Sequence, residues 1–177
     1  INEKRDIFRA LAGFISKKLN HEYIFDYLRA AYAFENYFED EAVASAVYNC
    51  LSKLLDHGRT AIVNIFLEKY ADRLPQKKAT ALIIRSGLVD NNKTECLKNI
   101  EGILERPETP ENLDHALLMM ETSKFLHAIN DYQRALDYIK KVVIYLQSTD
   151  NDALEGAAFV ELGFLMMCKG KLLEASE

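Results

Sequence analysis

Proline is scarce in this sequence, with three in 177 residues, and glycine contributes only seven. Few forced breaks interrupt the backbone, which favours long helices over the turn-rich build of a small β domain. Strand-like alternation is missing over any useful length. Tryptophan is absent. No run approaches the roughly 18 apolar residues that a membrane-crossing helix needs, and the opening INEKRDIF lacks the layout of a secretory leader. The three cysteines, Cys50, Cys96 and Cys168, are odd in number and far apart. They do not fit a disulfide framework or a thiolate metal cluster, so free thiols in a reducing, cytoplasmic setting are expected. Glycine-rich phosphate loops, a nucleophile elbow and an HExxH pair are also missing.

What remains is a helical, foldable composition, 49% hydrophobic and 28% charged. The formal net charge is -5 and the isoelectric point is near 5.5. Residues 1 to 90 are nearly balanced, with 13 basic and 12 acidic side chains, whereas residues 91 to 177 carry 9 and 15. Neutralising phosphates takes a concentrated basic field, so nucleic acid and anionic membrane are disfavoured partners, and a cationic or neutral polypeptide is favoured. The histidines, His21, His57, His115 and His127, are scattered. Glu111 and His115 are four apart and can share a helix face, which reads as a surface contact before it reads as a metal site. No motif marks a cysteine–histidine nucleophile. No catalytic residue, cofactor or metal is therefore expected, and the chain does not read as an enzyme.

In chain order, Ile7, Leu11, Phe14, Ile15 and Leu19 trace one helical face over residues 7 to 19. Residues 22 to 38 form the most aromatic stretch, with Tyr23, Tyr27, Ala30, Phe34 and Tyr37 or Phe38 on one stripe. Asp40 suits the start of the next helix and Gly58 its stop, with Ala42, Ala46, Val47, Cys50, Leu51, Leu54 and Leu55 inward. Residues 60 to 74 predict a helix with Ile62, Ile65, Phe66, Tyr70 and Leu74 inward, ended by Pro75. Residues 77 to 90 supply its partner, although Gly87 also allows an earlier turn. Residues 93 to 105 keep helical spacing, and Pro107 and Pro110 then mark a stiff loop before a helix beginning near Pro110 or Glu111.

Two tandem hairpins dominate the rest. The first spans Ala116 to Thr149, with Asn130 and Asp131 at its turn and Ala135 opening its second helix. The second begins at Gly156. In the latter, Phe159, Leu162, Gly163, Met166, Gly170 and Ala175 hold a large apolar position, a leucine–glycine pair, a further large apolar position, a turn and a second-helix alanine. Met119, Thr122, Ser123, Leu126, Ala135 and Ile139 stand at the corresponding places upstream. This pattern resembles the tetratricopeptide repeat, a helix-turn-helix unit of about 34 residues. The resemblance is clearest over residues 116 to 177.

The resemblance implies an all-α fold, a right-handed superhelix of antiparallel hairpins, in one helical-repeat domain over residues 1 to 177. The sequence reads as a piece of a longer protein. The implied function is a scaffold that binds a partner polypeptide in the groove of stacked hairpins. A peptide-sensing regulatory domain and a self-association module are the alternatives. Carried onto this sequence, the partner-facing residues are Met120, Lys124, His127, Val160, Phe164 and Met167, with the methionines also suited to the core. Lys140, Lys141, Lys169 and Lys171 read as solvated surface before they read as carboxylate contacts.

Overall fold

The computed structural model describes residues 6, 7, 10, 40–90, 96, 97, 100 and 109–170. All regular structure among them is helical. The chain divides into two compact units, residues 1–90 and 91–177. The helices expected over 7–19, 22–38 and 93–105, most of the following loop, Lys171 and Ala175 fall wholly or mainly outside the described residues. Ile7, assigned to an inward stripe, is exposed.

In the first unit, α1 spans Glu41–Asp56, α2 Thr60–Tyr70 and α3 Gln76–Val89, with a short 3-10 turn at Ala71–Arg73. Asp40 caps α1 as expected. Its carboxylate accepts from the amides of Ala42 at 3.1 Å and Val43 at 3.4 Å, satisfying donors that the first helical turn leaves open. At the other end Gly58 turns the chain with φ +68, a conformation that costs a side-chain-bearing residue. Pro75 holds Leu74 extended, so α2 cannot run on into α3. Gly87 does not end α3, which continues to Val89.

Two inward faces differ from expectation. In α2 the buried side is Val63, Phe66, Leu67 and Tyr70, while Ile65 is exposed and Ile62 only half-buried. Apolar residues occupy both 61–63 and 65–67, so two overlapping stripes satisfy the same spacing and packing selects the second. In α1 Ala42 is exposed with Glu41 in the first turn, ahead of the buried Val43 and Ala46. Polar side chains stitch α3 to both neighbours. Arg85 donates to Ser52 Oγ at 2.8 Å and pairs with Asp56 on α1, and Ser86 Oγ donates to Asn64 Oδ1 on α2 at 2.6 Å.

In the second unit, α4 covers Leu113–Ala128, α5 Tyr132–Leu146 and α6 Asp152–Cys168. The start of α4 is set by Asn112, whose side chain accepts from the His115 amide at 2.9 Å, and not by Pro110 or Glu111. The asparagine satisfies an open amide, whereas Pro110 is buried ahead of the helix. Asp131 caps α5 through the Arg134 amide, and its carboxyl sits below the usual range chiefly because the Arg134 side chain hydrogen-bonds it. Asn151 caps α6 through the Leu154 amide. The short connection at Ile129–Asp131, with Asn130 left-handed at φ 64, reverses α5 against α4.

Their shared core holds Met119, Leu126, Ala135, Leu136, Tyr138, Ile139, Val142 and Leu146, joined by Ala158 and Leu165 from α6. Ala135 is fully buried, and its carbonyl accepts from Ser123 Oγ across the crossing at 3.0 Å. A small residue on each helix allows this close approach. Replacing Ala135 with leucine overpacks the crossing and should cost about 1–3 kcal/mol. A denaturant titration checks this, and unchanged stability removes Ala135 from the contact.

Burial pushes the Cys50 thiol from 9.0 up to about 12. Above pH 9 the unfolded thiol ionises while the folded one keeps its proton, so the unfolded state binds fewer protons and stability falls as pH rises. Between pH about 8 and about 10 the wild type should lose about 1 kcal/mol relative to Cys50→Ala. Equal losses in the two denaturant series would contradict this.

Candidate functional site

The six partner-facing residues expected from the sequence lie on α4 and α6. Since α5 runs back between them in the chain, α4 and α6 point the same way. Met120 is buried in the core, the second of the roles open to it. Lys124 is half-buried, and its Nζ donates to Glu121 Oε1, one turn back on the same helix, at 2.8 Å. Glu121 is 1% exposed, and its other oxygen, Oε2, has no hydrogen-bond partner. The lysine therefore neutralises a carboxylate that has been taken out of water. His127 is half-buried and faces α6, with Nδ1 3.0 Å from Glu161 Oε1 and Nε2 3.7 Å from Cys168 Sγ.

The three candidates on α6 are placed differently. Val160 is 60% exposed, Phe164 54% and Met167 49%, at spacings of four and three that keep them on one side of the helix. Phe159, assigned to the large apolar position of the repeat, is 44% exposed beside them. The opposite side of α6 carries Ala158 and Leu165, fully buried, with Leu154, Leu162 and Met166 packed against the core. The helix is thus apolar on the face that packs and on the face that does not. A helix apolar all round is ordinarily covered on both sides. Among the described residues, a Cβ added at Gly163 meets no atom within 4 Å, so there is open space at that point of the helix.

No family model, curated protein or solved structure matches this chain. No helix among the described residues is long and apolar enough to cross a membrane. Among the same residues no three histidine, cysteine, aspartate or glutamate side chains are gathered to hold a metal ion. The Glu111–His115 pair is a capping contact, with the Glu111 amide directed at His115 Nδ1 at 3.4 Å. Lys140 is exposed on α5, and Lys169 Nζ donates to Gln133 Oε1.

The sequence did not signal the meeting of His127, Glu161 and Cys168. Their spacings of 34 and 7 residues match no motif; only the repeat offset, which aligns α6 beside α4, could have suggested it.

Removing Lys124 leaves the buried Glu121 carboxylate without a counter-charge. Lys124→Ala should cost about 1–3 kcal/mol, and adding Glu121→Gln should recover most of it. Urea titrations of the single and double variants decide this, with purely additive losses as the contrary outcome.

Proposed function

We propose that this chain is an interaction scaffold of the tetratricopeptide-repeat type, not an enzyme, and that it binds a partner polypeptide on the outward side of α6. The observation that carries the reading is the strip formed by Phe159, Val160, Phe164 and Met167. Isolated exposed apolar residues are ordinary, but contiguous ones on one helical face mark a surface that gains by being covered. Aromatic and methionine side chains are also the types enriched at the centres of such contacts.

The repeat reading has its own support. Asn112 and Asn151 cap α4 and α6 by the same bond, each side chain accepting from the amide three residues on. Ser123 and Ala135, which hold the small first-helix and second-helix positions of the family pattern, meet at the crossing of α4 and α5. Stacked hairpins of this kind form a right-handed superhelix whose first helices line the inner surface. On that arrangement α6 is a first helix, and its open side belongs to the groove.

The partner's chemistry follows from the strip and its setting. Residues 91–177 carry 15 acidic against 9 basic side chains. The best-matched occupant is therefore a polypeptide segment with apolar anchors flanked by basic residues, in which the anchors supply affinity and the charges speed encounter.

Panning a displayed peptide library on the chain should enrich segments of that composition. Phe164→Asp should weaken a selected peptide at least about tenfold, whereas Ile144→Asp, at an exposed apolar position on α5, should leave it unchanged. Enrichment of no peptide, or equal binding by Phe164→Asp, overturns the proposal. A sedimentation mass that rises with concentration and collapses in Phe164→Asp assigns the strip to a second copy of the chain instead.

A further inference from the structure

Three reactive side chains converge near the turn that joins α4 to α5. His127 comes from α4, and Glu161 and Cys168 come from α6, seven residues apart and so on one face. Glu161 Oε1 lies 3.0 Å from His127 Nδ1, and Cys168 Sγ lies 3.7 Å from His127 Nε2. An ionised carboxylate can only accept, so Nδ1 bears the hydrogen and donates to Glu161. In the neutral imidazole this leaves the Nε2 lone pair facing sulfur, with the thiol hydrogen as donor. The Tyr132 ring, its centroid 5.8 Å from that of the imidazole, borders the histidine on a further side. The Glu161 side chain is 12% exposed, so most of the solvent competing for its oxygens is excluded. Cys168 itself is exposed.

Carboxylate, imidazole and thiol in that order form a relay in which the base is held in one tautomer and aimed at a nucleophile. Two features narrow what the thiol can do. Acyl transfer needs donors aimed at a developing oxyanion, and the two backbone amides after the cysteine are turned to other acceptors. The Lys169 amide donates to Leu165 O at 3.1 Å and that of Gly170 to Met167 O at 2.9 Å. Thiol–disulfide exchange spreads its charge over sulfur atoms and needs no such donors. Cys168 also closes α6, where the helix's partial negative charge works against a thiolate. The imidazolium is thus the group that must hold it.

We infer that Cys168 is a thiol–disulfide exchange site, served by His127 as base and by Glu161 as the positioning residue, which takes up a small-molecule disulfide. The thiol proton moves to Nε2, and the resulting thiolate attacks one sulfur of the disulfide. A new bond forms between Cys168 Sγ and that sulfur as the original sulfur–sulfur bond breaks. The departing thiolate takes the proton back from Nε2 and leaves as a free thiol. Cys168 is oxidised to a mixed disulfide, and one half of the incoming disulfide is reduced. Cys50 and Cys96 are buried and take no part.

The full chain mixed with Ellman's aromatic disulfide at neutral pH should show one fast thiol, absent in Cys168→Ser. Its rate should exceed that of cysteine in a short unstructured peptide by about tenfold and fall by about as much in His127→Gln. Oxidised glutathione should add to Cys168 alone, as mapped by mass spectrometry. Glu161→Gln should slow the reaction and shift the His127 ring nitrogen resonances away from the pattern of an Nδ1-bound hydrogen, while the helical spectrum stays unchanged. A wild-type Cys168 no faster than the peptide cysteine overturns the inference without recourse to any variant. So does a His127→Gln protein that folds and reacts at the wild-type rate.

Discussion

The close crossing of α4 and α5, where Ser123 reaches the Ala135 carbonyl, is the constraint on which the second unit depends. Two helices joined by three residues must lie against each other, and at the crossing there is room only for small side chains. Once they meet, the stripe Ala135, Ile139, Val142 and Leu146 closes on Met119 and Leu126, and Ala158 and Leu165 of α6 complete the same core. The serine hydroxyl is buried but satisfied, so the crossing carries no polar penalty. The positions of His127 and of the α6 strip both follow from that seam, because α6 packs against a surface that α4 and α5 make together.

The first unit solves its packing by a different division of labour. Its apolar faces are broad, with α1 buried over most of its circumference, and breadth alone does not specify register. Arg85 and Ser86 supply the specification, since adjacent residues on α3 bond in opposite directions, to Ser52 and Asp56 on α1 and to Asn64 on α2. A rotation of α3 about its axis would break both sets at once. Apolar burial contributes the drive and these bonds the alignment.

Legibility in the sequence tracked how strictly each pattern excluded alternatives. Ala135 and Ile139 of α5, named from the sequence, are both fully buried. Readable too were the Asp40, Gly58, Pro75 and Asp131 boundaries, where a single residue's chemistry decides. Ile65 was misplaced because α2 is apolar at nearly every position from 61 to 67, which leaves the inward face to its neighbours. The placement of the candidate site residues was legible only in part. Val160, Phe164 and Met167, named from the repeat pattern, are exposed, whereas Lys124 pairs with Glu121, a contact that their spacing of three on one helix already allowed. The His127, Glu161 and Cys168 meeting is a tertiary event between helices that begin 39 residues apart, and local periodicity carries no information about it.

The described helices differ in how they start. Each of α4, α5 and α6, like α1 at Asp40, starts on an asparagine or aspartate whose side chain holds an amide of its own first turn, at Asn112, Asp131 and Asn151. In the first unit α2 and α3 start at Arg59 and Pro75 without such a bond. Where the cap is local, the start of a helix is specified within four residues of sequence, so α1, α4, α5 and α6 carry their own starting points, whereas those of α2 and α3 are specified by packing.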